Sequence, residues 1–205
     1  SSARTLAGMI ILLGIFVVAM DNTIPSLIIG YILFVIIGFS LNSISSLRKE
    51  YASKWNKHKL TAPVKRTDII KSLFVSELLW MFVGIAFAAV STALSITLHG
   101  NPFDKNTDVF MLFVVGIGIS LFMGAIFFPL FFLGGEERNE VFLVVSLLGG
   151  IGSIMGLATL INTFFPSGMT ALQILISGVM ILVCSILVFA VSCPLTAFIF
   201  QNREY

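Results

Sequence analysis

The chain has 205 residues, of which 58% are hydrophobic and only 11% are charged, with a net charge of +2. Soluble domains are about 45–50% apolar and about 25% charged, so the composition excludes an ordinary soluble domain. The apolar runs are long and unbroken, which predicts a helical integral membrane protein and not a β-barrel of alternating segments about ten residues long.

Six apolar runs predict six membrane-spanning helices in a single domain over residues 1–205, since one span needs about 20 residues. They cover residues 6–20, 26–44, 69–98, 109–133, 141–162 and 169–200. The first run is short, and Arg4 ahead of it is also typical of a signal peptide, but residues 18–21 form a weak cleavage site. We therefore expect a true first span, completed by residues ahead of Ser1.

The connection of residues 45–68, between the second and third runs, is strongly basic. Eight of the twelve Lys and Arg residues lie within residues 48–71. A charge at the bilayer centre costs about 2.5–3.5 kcal/mol, so this segment must lie in water, and the positive-inside rule places it in the cytoplasm. Alternation of the spans then puts both chain ends in the cytoplasm. Because spans flank the segment, we expect no nucleic-acid partner.

The basic segment contains a pattern typical of a short amphipathic helix. No Gly or Pro occurs from Glu50 to Leu60, and Tyr51, Ala52 and Trp55 share one side at helical spacing. Such a helix would lie on the cytoplasmic face of the membrane. It would anchor the chain on anionic lipid headgroups, or dock into a cytoplasmic partner, and both hypotheses can hold together.

Glu77 is the one acid well inside an apolar run. An intramembrane acid is a candidate functional residue. The alternative is a position near the cytoplasmic interface, where the carboxylate is hydrated or paired with Lys65 or Lys71. We favour this alternative, because the apolar run starts only near Ile69.

Glycine and phenylalanine recur in the fourth and fifth runs. Small residues let helices approach closely, so the glycines predict packing within the chain, with a flexing or dimer face as the alternative. They are Gly116, Gly118, Gly124, Gly149, Gly150, Gly152 and Gly156. We expect the phenylalanines at 127, 128, 131 and 132 to face lipid or packing partners. The alternative is an apolar surface for a hydrophobic substrate.

The sequence predicts no catalytic, cofactor-binding or metal-binding residue on this chain. His58 and His99 lie on opposite sides of the predicted membrane, and no P-loop or paired-histidine motif occurs. If ATP hydrolysis drives transport, the ATPase is therefore another polypeptide.

Two stretches resemble ABC-2 type permeases, the membrane subunits of bacterial ABC exporters. Residues 63–70 keep the frame Pro-Val-x-Arg-x-Asp-Ile-Ile of the family's cytoplasmic loop, although Ala62 stands where Leu is common and Lys65 where Ser is common. Residues 128–134, followed by a charged patch, resemble the stretch after the family's fourth span.

The resemblance implies an all-α polytopic fold of the type V exporter kind, with six transmembrane helices and both termini inside. Two permeases pair, as identical or similar subunits, and each binds an ATP-binding subunit that carries the ATP and magnesium. The segment between the second and third spans is then the coupling helix. On this chain the coupling residues would be Tyr51, Trp55, Leu60, Pro63, Val64, Arg66 and Asp68.

The sequence therefore predicts the permease subunit of an exporter in a bacterial plasma membrane, in contact with lipid. The resemblance extends to a subgroup that exports phenol-soluble modulins or antimicrobial peptides, so the expected cargo is an amphipathic peptide, toxin, antibiotic or lipid-like molecule. The main alternative is a standalone channel, carrier or accessory subunit that ATP does not drive. The scarcity of intramembrane ionisable groups argues against ion-coupled transport.

Overall fold

A computed structural model describes residues 8, 12–15, 17, 26–52, 66–100, 103, 105–134, 138–164 and 170–202. Every regular element in these ranges is helical, as predicted. The five long helices are α1 (Ser26–Ala52), α2 (Arg66–His99), α3 (Asn106–Gly134), α4 (Asn139–Phe164) and α5 (Ala171–Asn202). Each is long and apolar enough to cross a membrane.

The first predicted span is helical at residues 8, 12–15 and 17. It packs on the α1–α2 pair, because a side chain added at Gly14 would meet the Tyr31 hydroxyl and lie close to Ser91. The helix of the first predicted span therefore lies beside the first part of α1 and the last part of α2.

Local sequence explains where several helices start and stop. Gly100 follows α2 with a φ of 87°, and its N–H donates to the Ile96 carbonyl at 3.0 Å, which closes the last turn. Thr170 and Gln173 form a reciprocal cap ahead of α5: the Thr170 N–H donates to Gln173 Oε1 at 2.8 Å, and the Gln173 N–H donates to Thr170 Oγ1 at 3.4 Å.

The connection between α1 and α2 is shorter than the predicted loop of residues 45–68. Helix α1 continues to Ala52 and α2 begins at Arg66, so only residues 53–65 separate them, and these lie outside the described residues. The predicted second span ended at Ile44, and the apolar part of α1 covers Leu27–Ser45. Charge density marks where a helix leaves the hydrocarbon, however, and without Gly or Pro the helix continues beyond it.

Helix α3 lies at the centre of the described helices and contacts all four others. Its glycines are the points of close approach: Gly116 faces Ile36 of α1, and Gly118 faces Ile154 of α4 and Ser185 of α5. The expectation that these glycines pack within the chain is confirmed.

The same expectation is wrong for part of α4. Gly150 packs against the α3 backbone, where an added Cβ would lie 2.9 Å from the Ile119 carbonyl oxygen. A Cβ on Gly152 or Gly156 would meet nothing within 4 Å. Most of the α4 surface away from α3 is exposed in this single chain.

The phenylalanines near the end of α3 form the core and do not face lipid. Phe127, Phe128, Phe131 and Phe132 are each at most 2% exposed. Phe132 packs edge-on against Phe200 of α5, with ring centroids 5.1 Å apart. The packing alternative of the prediction is therefore confirmed for these four side chains.

A proline in α3 is matched by a serine on α5. Pro129 has no N–H, so it cannot donate to the carbonyl of Ala125 four residues earlier. Ser192 Oγ donates to that carbonyl oxygen at 2.6 Å. In hydrocarbon no water can replace a missing partner, so this bond both satisfies the freed carbonyl and ties α5 to α3.

We expect Ser192→Ala to lower the stability of the folded chain by about 1–3 kcal/mol, because it leaves the Ala125 carbonyl without its donor. In a Pro129→Ala background the restored N–H can reach that carbonyl, so Ser192→Ala should cost clearly less there. Thermal unfolding of the four proteins in one detergent, followed by circular dichroism, measures the difference. An equal cost in both backgrounds would contradict the assigned link.

Candidate functional site

The predicted coupling segment, residues 53–65, connects the two helices of the α1–α2 hairpin. These two helices pack tightly against each other. Phe39 of α1 is 1% exposed and stacks on Trp80 and Phe87 of α2, with centroid distances of 6.1 and 5.5 Å. Further from the segment, the Ser91 hydroxyl donates to the Tyr31 hydroxyl at 3.4 Å. Because the two helices are joined at several levels, a displacement at residues 53–65 would move them together.

Glu77 lies inside this hairpin and is only 1% exposed. Its Oε1 accepts a hydrogen bond from the Ser40 hydroxyl of α1. Ser43, one turn further along α1, adds a second hydroxyl to the polar surroundings of the carboxyl. Oε2 has no hydrogen-bond partner among the described residues.

The other side of Glu77 faces α3 and α5. A Cβ built on Gly124 would lie 3.5 Å from Glu77 Cγ and Oε1, and 3.0 Å from the Phe189 ring of α5. The missing side chain at Gly124 therefore makes room for the carboxyl. One residue further, Ala125 accepts the bond from Ser192, so polar groups of four helices lie at neighbouring positions along α3.

This position corrects our favoured interpretation of Glu77. We expected a hydrated carboxylate near the interface, or one paired with Lys65 or Lys71. The side chain is buried and bonded to Ser40, while Lys71 is exposed on the same helix. Lys65 lies outside the described residues. The packing of α1 on α2 brings the hydroxyls of Ser40 and Ser43 to the Glu77 carboxyl. The hydropathy profile of α2 alone cannot predict this contact between helices.

An aromatic cluster adjoins the carboxyl. Phe74, almost one turn before Glu77, packs on Phe128 of α3 and Phe189 of α5, with ring centroids 4.7 and 4.9 Å apart. These rings keep the carboxyl in an apolar environment towards the α3–α5 side.

An apolar cavity of about 550 Å³ lies between α2, α3 and α5. Phe74 and Phe189 form part of its wall, and the remaining lining is aliphatic or aromatic apart from Cys193. Phe82 and Ile186 at its edge are 61% and 54% exposed. The cavity thus joins the aromatic cluster to the outer surface of the helices, and it can hold an apolar chain but offers no polar anchor.

The predicted coupling residues are only partly within the described structure. Tyr51 belongs to the last turn of α1, and Arg66 is the first residue of α2. Asp68 is exposed in the first turn of α2, where a negative charge favours the helix N-terminus. The remaining four lie outside the described residues: Trp55, Leu60, Pro63 and Val64.

Among the described residues no group of three or more His, Cys, Asp or Glu side chains could hold a metal ion. The polar side chains that the sequence analysis missed are Ser40 and Ser43, which bring hydroxyls to Glu77. Their spacing places them on one helix face within an apolar run.

The chain matches the family described as "ABC-2 family transporter protein" over residues 3–201. It therefore belongs to that family, and the five apolar helices agree with a multi-pass membrane protein of this class. No curated protein and no solved structure matches the chain. Family membership implies in general an ATP-binding partner for a membrane transport subunit.

We expect Phe39→Ala to destabilise the α1–α2 hairpin by about 3–5 kcal/mol, since it removes a buried ring between two others. Phe34→Ala, also on α1 but at a side chain that is 57% exposed, is the matched control and should change stability by about 0.5 kcal/mol or less. Thermal unfolding in detergent measures both. Similar losses for the two variants would contradict the packing described for Phe39.

Proposed function

We propose that this chain is the membrane-spanning permease subunit of an ABC exporter, driven by a separate ATP-binding subunit. The observation that carries the proposal is the family match over residues 3–201. The five apolar helices, four of which pack around α3, support it, because they supply spans that such a subunit needs.

The coupling surface in this proposal is the segment of residues 53–65 with the adjoining ends of α1 and α2. Tyr51, Trp55 and Leu60 would contact the ATP-binding subunit. Residues 63–68, including Pro63, Val64, Arg66 and Asp68, would lead the movement into α2. The stacked rings of Phe39, Trp80 and Phe87 support this role, because they join the two helices that flank the segment.

In this account the chemistry takes place on the partner, where ATP and magnesium bind. Binding of ATP closes the ATP-binding subunits on each other and pushes on residues 53–65. The tightly packed hairpin then moves relative to α3 and α5. This chain supplies the transport path and the α1–α2 hairpin that transmits the movement, and none of its residues reacts covalently.

The cargo would be an amphipathic molecule such as an antimicrobial peptide or a phenol-soluble modulin. The apolar cavity between α2, α3 and α5 supports an apolar component of the cargo, since its lining carries no charged side chain. A second permease copy, or a similar subunit, would complete the path. The exposed surface of α4, open at Gly152 and Gly156, supports a helix–helix contact with that second subunit.

The protein would lie in the plasma membrane of a bacterium, with both termini and residues 53–65 in the cytoplasm. The basic residues of the segment support this orientation through the positive-inside rule. The connection between α2 and α3, which includes Lys105, would then face outward.

We expect Trp55→Ala combined with Leu60→Ala to weaken association with the ATP-binding subunit by about 2 kcal/mol or more, roughly thirtyfold, because large apolar anchors dominate such contacts. Membrane insertion should be unchanged. Co-purification of the tagged chain with the ATP-binding protein from its own membrane measures this.

The matched control for that experiment is Phe164→Ala, an exposed aromatic side chain at the far end of α4. It should leave the association intact. Unaltered association of the Trp55/Leu60 variant would count against the coupling segment.

The orientation is testable in a chain whose Cys184 and Cys193 are replaced by Ser. A cysteine introduced at Lys105, which is exposed, should react with an impermeant maleimide in intact cells. A cysteine introduced at Lys57 should react only after the membrane is permeabilised. The reverse pattern would contradict the cytoplasmic position of the basic segment.

A further inference from the structure

Glu77 is enclosed by groups that leave an ionised carboxylate without a counter-charge. Towards α1 it meets Ser40 and Ser43, and towards α3 it lies against Gly124, which the Phe189 ring of α5 also approaches. No Lys, Arg or His side chain contacts it among the described residues. Burying an unpaired ionised carboxylate costs far more than burying a neutral carboxylic acid.

The charged and titratable groups nearest along the packed helices are few. On its own helix, Lys71 lies almost two turns earlier, and its side chain is exposed. On α5, Cys193 follows Phe189 by about one turn and is half-buried. On α1, Tyr31 lies more than two turns before Ser40 and interacts with Ser91, and Arg48 lies about two turns after Ser40. Among the side chains that the structure describes, none supplies the positive charge that a buried carboxylate needs.

The position of Glu77 links its protonation to helix movement. Thr67 opens the apolar part of α2, and Glu77 lies about 15 Å further along the axis at 1.5 Å per residue. Its carboxyl contacts α1, and its side chain lies against α3 and close to α5. Any movement of the α1–α2 hairpin on α3 and α5 therefore changes the solvation of this carboxyl.

We propose that Glu77 is a proton-binding site of the transporter. Its carboxyl carries a proton while Ser40, Gly124 and Phe189 enclose it. When the α1–α2 hairpin moves away from α3 and α5, water reaches the carboxyl, its O–H bond breaks, water accepts the proton, and a hydrated carboxylate remains. The place of this step in transport rests on the proposed function, whereas the proton site itself does not.

Proton binding would make the packed arrangement sensitive to pH. Acidic conditions favour the neutral acid and therefore the hairpin packed on α3 and α5. Alkaline conditions favour the hydrated carboxylate and therefore movement of the hairpin away from α3 and α5. The change in free energy between the two arrangements follows the difference in proton occupancy, as for any linked equilibrium.

Infrared spectroscopy of the full chain in nanodiscs of phosphatidylcholine and phosphatidylglycerol tests the site without any partner or cargo. At neutral pH the wild type should show a carbonyl stretch of a protonated carboxylic acid that Glu77→Gln lacks entirely. Ser40→Ala should keep this band but shift it to higher frequency, because the carbonyl loses a hydrogen-bond donor. Glu140→Gln, at an exposed acid of α4, is the matched control and should leave the band unchanged.

The linkage to movement is measured in the same samples by hydrogen exchange of the α1 and α2 backbone amides. Alkaline buffer should remove the band and accelerate exchange in the wild type, and Glu77→Gln should show no acceleration. A wild type without a Glu77-dependent band at neutral pH, or equal acceleration in Glu77→Gln, would overturn the proposal. A Ser40→Ala band at the wild-type frequency would also contradict it.

These results are separable from a failure of the proposed function. A chain that never associates with an ATP-binding subunit would remove the transport role and leave the infrared band in place. A chain that associates normally but lacks the band would retain the permease role and lose the proton site.

Discussion

The close approach of the other helices to α3 is the constraint on which the rest of the structure depends. Gly116 admits Ile36, Gly118 admits Ile154 and Ser185, and Gly124 admits Glu77 and Phe189. Hydrocarbon gives little hydrophobic drive for helices to associate, so contact area and small residues decide which faces meet. A larger side chain at any of these three positions would push against a neighbouring helix, and at Gly124 it would also meet Glu77.

A second constraint, the lack of water in hydrocarbon, accounts for the polar bonds. Most buried hydroxyls donate to carbonyls of their own helix, as Thr92, Ser120 and Ser185 do. Ser40 and Ser192 instead donate across helices. Both bonds lie next to Gly124 and Ala125 of α3, one at a buried acid and the other at a carbonyl freed by a proline. These two polar links between helices therefore lie at one level of the bundle, whereas the Ser91–Tyr31 bond lies at another.

Hydropathy and the basic cluster were sufficient to predict a helical membrane protein and the approximate positions of the five described spans. This is because the free-energy cost of a charge in hydrocarbon is larger than the differences between alternative ways of packing the helices. The apolar part of α1 ends at Ser45, one residue beyond the predicted span, while the helix itself continues to Ala52. The burial of Glu77 and the Ser192 bond were not predictable, because Ser40 and Ala125 are distant in sequence and meet their partners only through tertiary packing. The coupling residues at 53–65 stay a prediction.

The proposed permease is a packed bundle whose coupling segment transmits movement from an ATP-binding partner. Purification of the tagged full chain from its own membrane into nanodiscs, with the eluate assayed for ATP hydrolysis, tests this. We expect an ATP-binding subunit in equal amount and ATPase activity that elutes with the chain. A chain that elutes alone, and stays inactive when ATP-binding proteins of the same organism are added, would contradict it and favour a standalone carrier or channel.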